Sequence, residues 1–107
     1  MKQETLQKLT DTIVGTVHPE QVILFGSHAR GEQGKDSDVD LLIVESEAFD
    51  ENRSRKQEII KIYRQLRWGR FPVDVLVYSK AEFDYWKQQR NHVIAQAARE
   101  GQVLYAS

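Results

Sequence analysis

The chain contains no cysteine. Disulfides, thiolate zinc sites and a cysteine nucleophile are therefore excluded, and the composition suits a reducing, cytoplasmic setting. An excess of one charge is also missing: fifteen Lys and Arg oppose sixteen Asp and Glu, a net charge of −1. A dedicated duplex-DNA binder normally carries a marked basic excess, so direct binding of duplex DNA is not expected. Apolar runs extend only a few residues, far short of the roughly 20 that span a bilayer, so no membrane segment is expected either. Met1-Lys2-Gln3-Glu4 leads into no apolar stretch, so no secretory signal is visible. Repeats and low-complexity tracts are absent. What remains is 107 residues of ordinary soluble composition, 40% hydrophobic and 29% charged, which fits one domain over 1–107 with one core.

Periodicity places the elements. Leu6, Leu9, Ile13, Val14 and Val17 recur at spacings of three and four and predict a first helix. Thr5 or Thr10 would serve as caps or surface positions. His18-Pro19 ends the helix, because the residue before proline is pushed out of the α region. Gln21 to Phe25 reads as a short buried strand. Ser27 to Arg30 is a turn or two of helix, and Gly31 to Lys35 a loop. Asp38 to Val44 is a second strand, and Glu45 to Asn52 is acidic and irregular.

A helix follows over Arg53 to Trp68, with Ile59, Ile62, Tyr63 and Leu66 on one face. Gly69-Arg70-Phe71-Pro72 breaks it ahead of a third strand, Val73 to Tyr78. Ser79 caps a last helix through Glu100, with Glu82 completing a capping box. Phe83, Trp86, Ile94, Ala97 and Ala98 supply its buried side. Gly101 stops that helix, and Val103-Leu104-Tyr105 can add an edge strand. The order α-β-α-β-α-β-α makes this an α/β chain of the α+β kind. The second strand follows the first after only a short helix and loop, which favours a mixed sheet over a doubly wound parallel one.

Two phrases carry chemistry. In Leu24-Phe25-Gly26-Ser27-His28-Ala29-Arg30-Gly31, a strand runs into a Gly-Ser turn. Backbone N–H groups and the dipole at a helix start attract phosphate. Glycine permits close approach, the Ser27 hydroxyl adds a donor, and Arg30 adds a cation one turn on. Alone, this is an ordinary capped turn. Ten residues later comes Asp38-Val39-Asp40. Side chains at i and i+2 of a strand share a face. Two adjacent anions repel unless a cation lies between them, and Mg²⁺ favours carboxylate and phosphate oxygens. Alone, this is a charged turn ahead of a strand.

Asp74 tips the balance. It interrupts the apolar strand Val73 to Tyr78, where a lone buried carboxylate needs a partner or a metal; the plainer alternative is an edge-strand aspartate facing water. If that strand lies beside the second one, three carboxylates converge. Two cations about 4 Å apart would then clamp the attacking and leaving oxygens of a phosphoryl or nucleotidyl transfer. The histidines carry less. His18 reads as a loop residue, His28 as the mouth of the site and His92 as part of the last helix, with no metal-ligand spacing among them. Arg64, Arg67 and Arg70, interleaved with Trp68 and Phe71, form a basic and aromatic corner. It is best explained as a solvated helix end and is otherwise the leading partner surface.

The combination Gly26-Ser27, ten residues, Asp38-x-Asp40 and a later strand aspartate, Asp74, resembles the nucleotidyltransferase superfamily of the DNA polymerase beta type. The wording from Gly26 to Gly31 and from Ser37 to Leu41 is similar to its minimal branch, the MNT proteins, and the likeness covers nearly the whole chain. The resemblance implies a mixed sheet flanked by helices, two Mg²⁺ ions held by Asp38, Asp40 and Asp74, and ATP bound near Gly26, Ser27 and Arg30. Larger relatives carry a C-terminal helical domain for the acceptor. This sequence stops at Ser107, which leads us to expect the acceptor on another protein. Minimal members are commonly paired with a HEPN ribonuclease toxin, and the pairing implies an antitoxin that moves AMP from ATP to a toxin tyrosine. Steric blocking without catalysis, or transfer to a small molecule or an RNA end, stay open as alternatives.

Overall fold

The computed structural model describes residues 3–31, 38–69 and 72–107, without the side chains at positions 27 and 28. The predicted residues 32–35 of the loop, and Arg70 and Phe71 of the basic corner, lie outside the described residues.

The elements run α1 (Gln3–Val17), β1 (Gln21–Phe25), α2 (Gly26–Arg30), β2 (Val39–Glu45), α3 (Arg55–Gln65), β3 (Val73–Ser79), α4 (Lys80–Trp86), α5 (Val93–Glu100) and β4 (Gln102–Ala106). The four strands form one sheet in the order β3-β2-β1-β4. β1 pairs antiparallel with β2 and with β4, while β2 and β3 are parallel. The mixed sheet expected from the short first connection is therefore present.

Alternation in the strands divides the core in two. Val22, Leu24, Val39, Leu41, Ile43, Val75 and Val77 pack on one face with Leu9 and Ile13 of α1, Ile62 of α3 and Leu66 at its C-cap. Ile23, Leu42 and Val44 pack on the other with Phe83 of α4 and Ile94 and Ala97 of α5. Both faces of β1 and β2 are covered, which is why those strands read as continuous apolar runs. Asp40 and Asp74 alternate with the first set, so they lie on the α4–α5 face.

Several local expectations change. The last helix is two helices. Its Ser79–Glu82 capping box is present, but α4 ends at Trp86 and α5 starts after His92, whose Nδ1 accepts the Ile94 N–H at 3.1 Å. The topology explains the break. The chain must cross from β3 at one edge of the sheet to β4 at the other, and a straight helix from 80 to 100 would run about 30 Å in one direction. Ala98 is exposed, and Ala95 is buried in its place. α3 begins two residues inside the expected span and ends three short of it, capped by the Ser54 side chain. Glu45 is the buried final residue of β2, not part of an irregular stretch. Thr10 is buried, with its hydroxyl donating to the Leu6 carbonyl at 2.8 Å. His18 does leave the right-handed helical region, at φ +48°.

Candidate active site

β1 delivers the chain to Gly26 at one end of the sheet, where φ is +73° and α2 begins. On β2, Asp40 stands opposite Phe25 on one side and opposite Asp74 of β3 on the other. A methyl group added at Gly26 would lie 2.3 Å from Asp40 Oδ2 and 3.2 Å from its Cγ. The glycine is thus required twice over. It supplies a left-handed backbone that side chains resist, and it leaves the space that the Asp40 carboxylate fills. Sequence reasoning assigned its smallness to an approaching phosphate and missed Asp40.

Asp38 lies one residue before β2, and its side chain reaches Asp74. A hydrogen bond between the two carboxyl groups, then partial burial, then repulsion from the Asp38 charge raise the Asp74 pKa above the ordinary value of 3.8. The expectation of a buried Asp74 is corrected. Asp74 is exposed, on an edge strand, as is Asp38, while Asp40 is half-buried. Asp74 stands out first through its neighbour Asp38, with desolvation a lesser cause. The register Asp40↔Asp74 and the Asp38–Asp74 contact bring the three carboxylates to one end of one face.

Among the described residues, no three His, Asp or Glu side chains are drawn together tightly enough to hold a metal ion by themselves. The donor set nevertheless fits Mg²⁺, which usually binds through one or two carboxylates and completes its shell with water and substrate phosphate oxygens. The mutual hydrogen bond of Asp38 and Asp74 also shows two like groups held close, an arrangement that a cation relieves.

The other expected residues separate. Ser27 has its backbone in the first turn of α2. Arg30 is exposed, and its Nη1 lies 3.8 Å from Glu100 Oε2, which ties α2 to the end of α5. The His28 side chain lies outside what is described. His92 stacks on Trp86, with ring centroids 4.2 Å apart, and meets Tyr78 edge-on. Trp68 is 41% exposed, with the Lys8 ammonium 4.2 Å from its ring centroid. Arg64 and Arg67 are exposed on the same helix end. Tyr63 was read as part of an apolar helix face, yet its hydroxyl bonds the β3 backbone on both sides of Asp74. No sequence signal marked that role, because tyrosine on a helix face is most often packing.

Known proteins share this fold. A crystallised Sulfolobus solfataricus protein, provisionally named a nucleotidyltransferase, shares the fold at a TM-score of 0.67 and 19% identity, over 96% of this chain and 78% of the other. A toxin–antitoxin crystallised with AMP-PNP contains a chain similar at a TM-score of 0.57 and 19% identity, over 94% of this chain and 73% of that one. In sequence, 43 residues are 51% identical to a Methanocaldococcus jannaschii protein provisionally named a protein adenylyltransferase. That match covers 40% of this chain and 41% of the relative's length. The sequence profile of the nucleotidyltransferase domain matches residues 6–103, so the chain belongs to the nucleotidyltransferase domain family.

Proposed function

We propose that this nucleotidyltransferase moves AMP from ATP to a protein hydroxyl, and that it acts in this way as the antitoxin of a toxin partner. The carrying observation is the meeting of Asp38, Asp40 and Asp74 at one sheet end beside the Gly26 turn. In this reading Asp38 and Asp40 hold the two Mg²⁺ ions, and Asp74 joins them as ligand or base. Gly26, Ser27 and Arg30 receive the triphosphate at the start of α2. When bound, the metal ions would draw charge from the phosphate oxygens. The acceptor oxygen attacks the α-phosphorus, diphosphate leaves, and the acceptor's proton passes to Asp74 in its role as base.

Asp38 and Asp74 are exposed at an open surface, which suits an acceptor carried by a macromolecule better than a small enclosed substrate. On this basis residues 1–107 act as one nucleotidyltransferase unit. The acceptor is a tyrosine of the partner, which the family resemblance implies is of the HEPN type. The toxin–antitoxin relative and the adenylyltransferase relative support the same direction.

The test uses α-labelled ATP, Mg²⁺ and the protein encoded beside this one. Label should transfer to the partner, and mass spectrometry should locate it on a tyrosine. Changing Asp38 and Asp40 together to Ala should abolish transfer while the domain still folds, checked by a cooperative thermal melt. Label transfer by that double variant would rule out this site. A second reading, steric blocking, draws on the exposed Trp68, Arg64 and Arg67 at the end of α3. Under it, Asp74→Asn would bind the partner and still protect; under catalysis it would bind without protecting.

A further inference from the structure

β3 is an edge strand, paired with β2 on one side only. The Val39 N–H donates to the Pro72 carbonyl at 2.9 Å. In a parallel ladder this fixes the phase: the even-numbered residues of β3 bond β2, and Val73, Val75 and Val77 turn their N–H and C=O groups outward. An outward edge of this kind is normally hydrated and comparatively free to shift.

Here the helix α3 lies along it. The Tyr63 hydroxyl donates to the Val73 carbonyl at 3.2 Å and accepts from the Val75 N–H at 2.9 Å. Arg55, eight residues earlier on the same helix, donates from Nη1 to the Val77 carbonyl at 3.2 Å. The Val73 carbonyl belongs to the peptide before Asp74, and the Val75 N–H belongs to the peptide after it. One oxygen atom therefore holds both peptide planes that determine the backbone of Asp74, from the side opposite β2. The tyrosine is itself held by its helix, whose neighbouring residues Ile62 and Leu66 are buried in the core. The residue remains 39% exposed, so packing alone does not account for its position.

We infer that Tyr63 is a positioning residue for Asp74, pinning the edge of β3 so that the Asp74 carboxylate is held beside Asp38. This rests on the reading of Asp74 as a member of the carboxylate site. A purely structural alternative is that Tyr63 only shields a strand edge.

A double-variant cycle on metal binding separates these. Mn²⁺ affinity is measured in the presence of the unreactive α,β-methylene analogue of ATP, for the parent chain, Tyr63→Phe, Asp74→Asn and the combination. The expected result is a loss of about tenfold for Tyr63→Phe, the scale seen when a ligand's outer support is removed. Asp74→Asn should lose at least as much. Adding Tyr63→Phe to it should then cost nothing more, because the tyrosine acts through Asp74. Parent-like affinity in Tyr63→Phe, or losses that simply add in the combination, would overturn the inference while leaving the carboxylate site standing. Parent-like affinity in Asp74→Asn would instead take Asp74 out of the metal site, and the inference with it, while leaving Asp38 and Asp40 in place. Should Tyr63→Phe fail to fold, para-aminophenylalanine at this position keeps the ring and a donor for Val73 but accepts poorly from Val75. Affinity between parent and Asp74→Asn would then support the inference, and parent affinity would overturn it.

Discussion

Gly26 is the residue on which the site closes most tightly. Any side chain there must adopt φ +73° and overlap the Asp40 carboxylate, 2.3 Å from the first added carbon. Gly26→Ala should lower nucleotidyl transfer by on the order of 100-fold, the usual cost of displacing a reacting group by about 1 Å. It should cost about 1–2 kcal/mol of stability from the left-handed backbone. Initial rates with labelled ATP beside a thermal melt would check both. A variant that melts like the parent and retains full rate would show that Asp40 does not need that space. The pattern of Gly26, Asp38 and Asp40 was legible because it lies within one short stretch of chain. The significance of Asp74 was legible for a reason that did not hold: it is exposed, and its meaning comes from Asp38.

At the scale of elements, α5 and β4 depend on Gly101. A methyl group there would lie 2.3 Å from the Ala97 carbonyl oxygen, 2.5 Å from Ile23 Cγ2 and 3.0 Å from the Leu24 carbonyl oxygen. Two of these are backbone atoms of the helix end and of β1, so the neighbours cannot simply swing aside. Gly101→Ala should destabilise the fold by about 1–3 kcal/mol through overpacking, measured as a lower urea midpoint at unchanged slope. The sequence marked this glycine as a helix stop, which it is, but its contact with β1 is a matter of packing. The same distinction applies to the stretch from Ser79 to Glu100. The capping box could be read from residues three apart. The break before His92 could not, since helical propensity through Gln88 and Gln89 is ordinary. It arises because the connection must cross from β3 to a strand beside β1.

At the scale of the whole molecule, the end of the sheet opposite the carboxylate site holds a second charge cluster, built around the buried Glu45. Arg53 Nη2 lies 2.5 Å from Glu45 Oε1 and 3.3 Å from Glu58 Oε2, with its Nε 3.4 Å from Glu47. The Glu45 side chain is only 3% exposed. Burial, then a hydrogen bond with Glu58 and that residue's charge, outweigh Arg53 and raise the Glu45 pKa from 4.5 to about 8. A carboxyl group of raised pKa binds a proton in the folded chain that the unfolded chain releases. Stability is therefore highest below pH 4.5 as far as this group is concerned, and it declines as pH rises from 4.5 through about 8. Glu45→Gln, which keeps a neutral group in place, should flatten that decline in a series of denaturant titrations. An unchanged slope would show that Glu45 is ionised when folded.

The sequence by itself determined most strand and helix positions, the Ser79–Glu82 capping box and the spacing of the Gly-Ser turn from the aspartate pair. These are set by backbone preferences and side-chain periodicity acting over a few residues. It also determined membership of a family, because the motif is carried in the order of residues. Only the tertiary structure decided that Gly26 makes room for Asp40, that Asp38 reaches Asp74, that Tyr63 holds the edge around Asp74 and that Glu45 is buried. Each of these joins residues from different elements, and they meet only when the two faces of the sheet pack and fix the order β3-β2-β1-β4. Packing of that kind depends on the simultaneous burial of many side chains, and no local stretch of sequence encodes it.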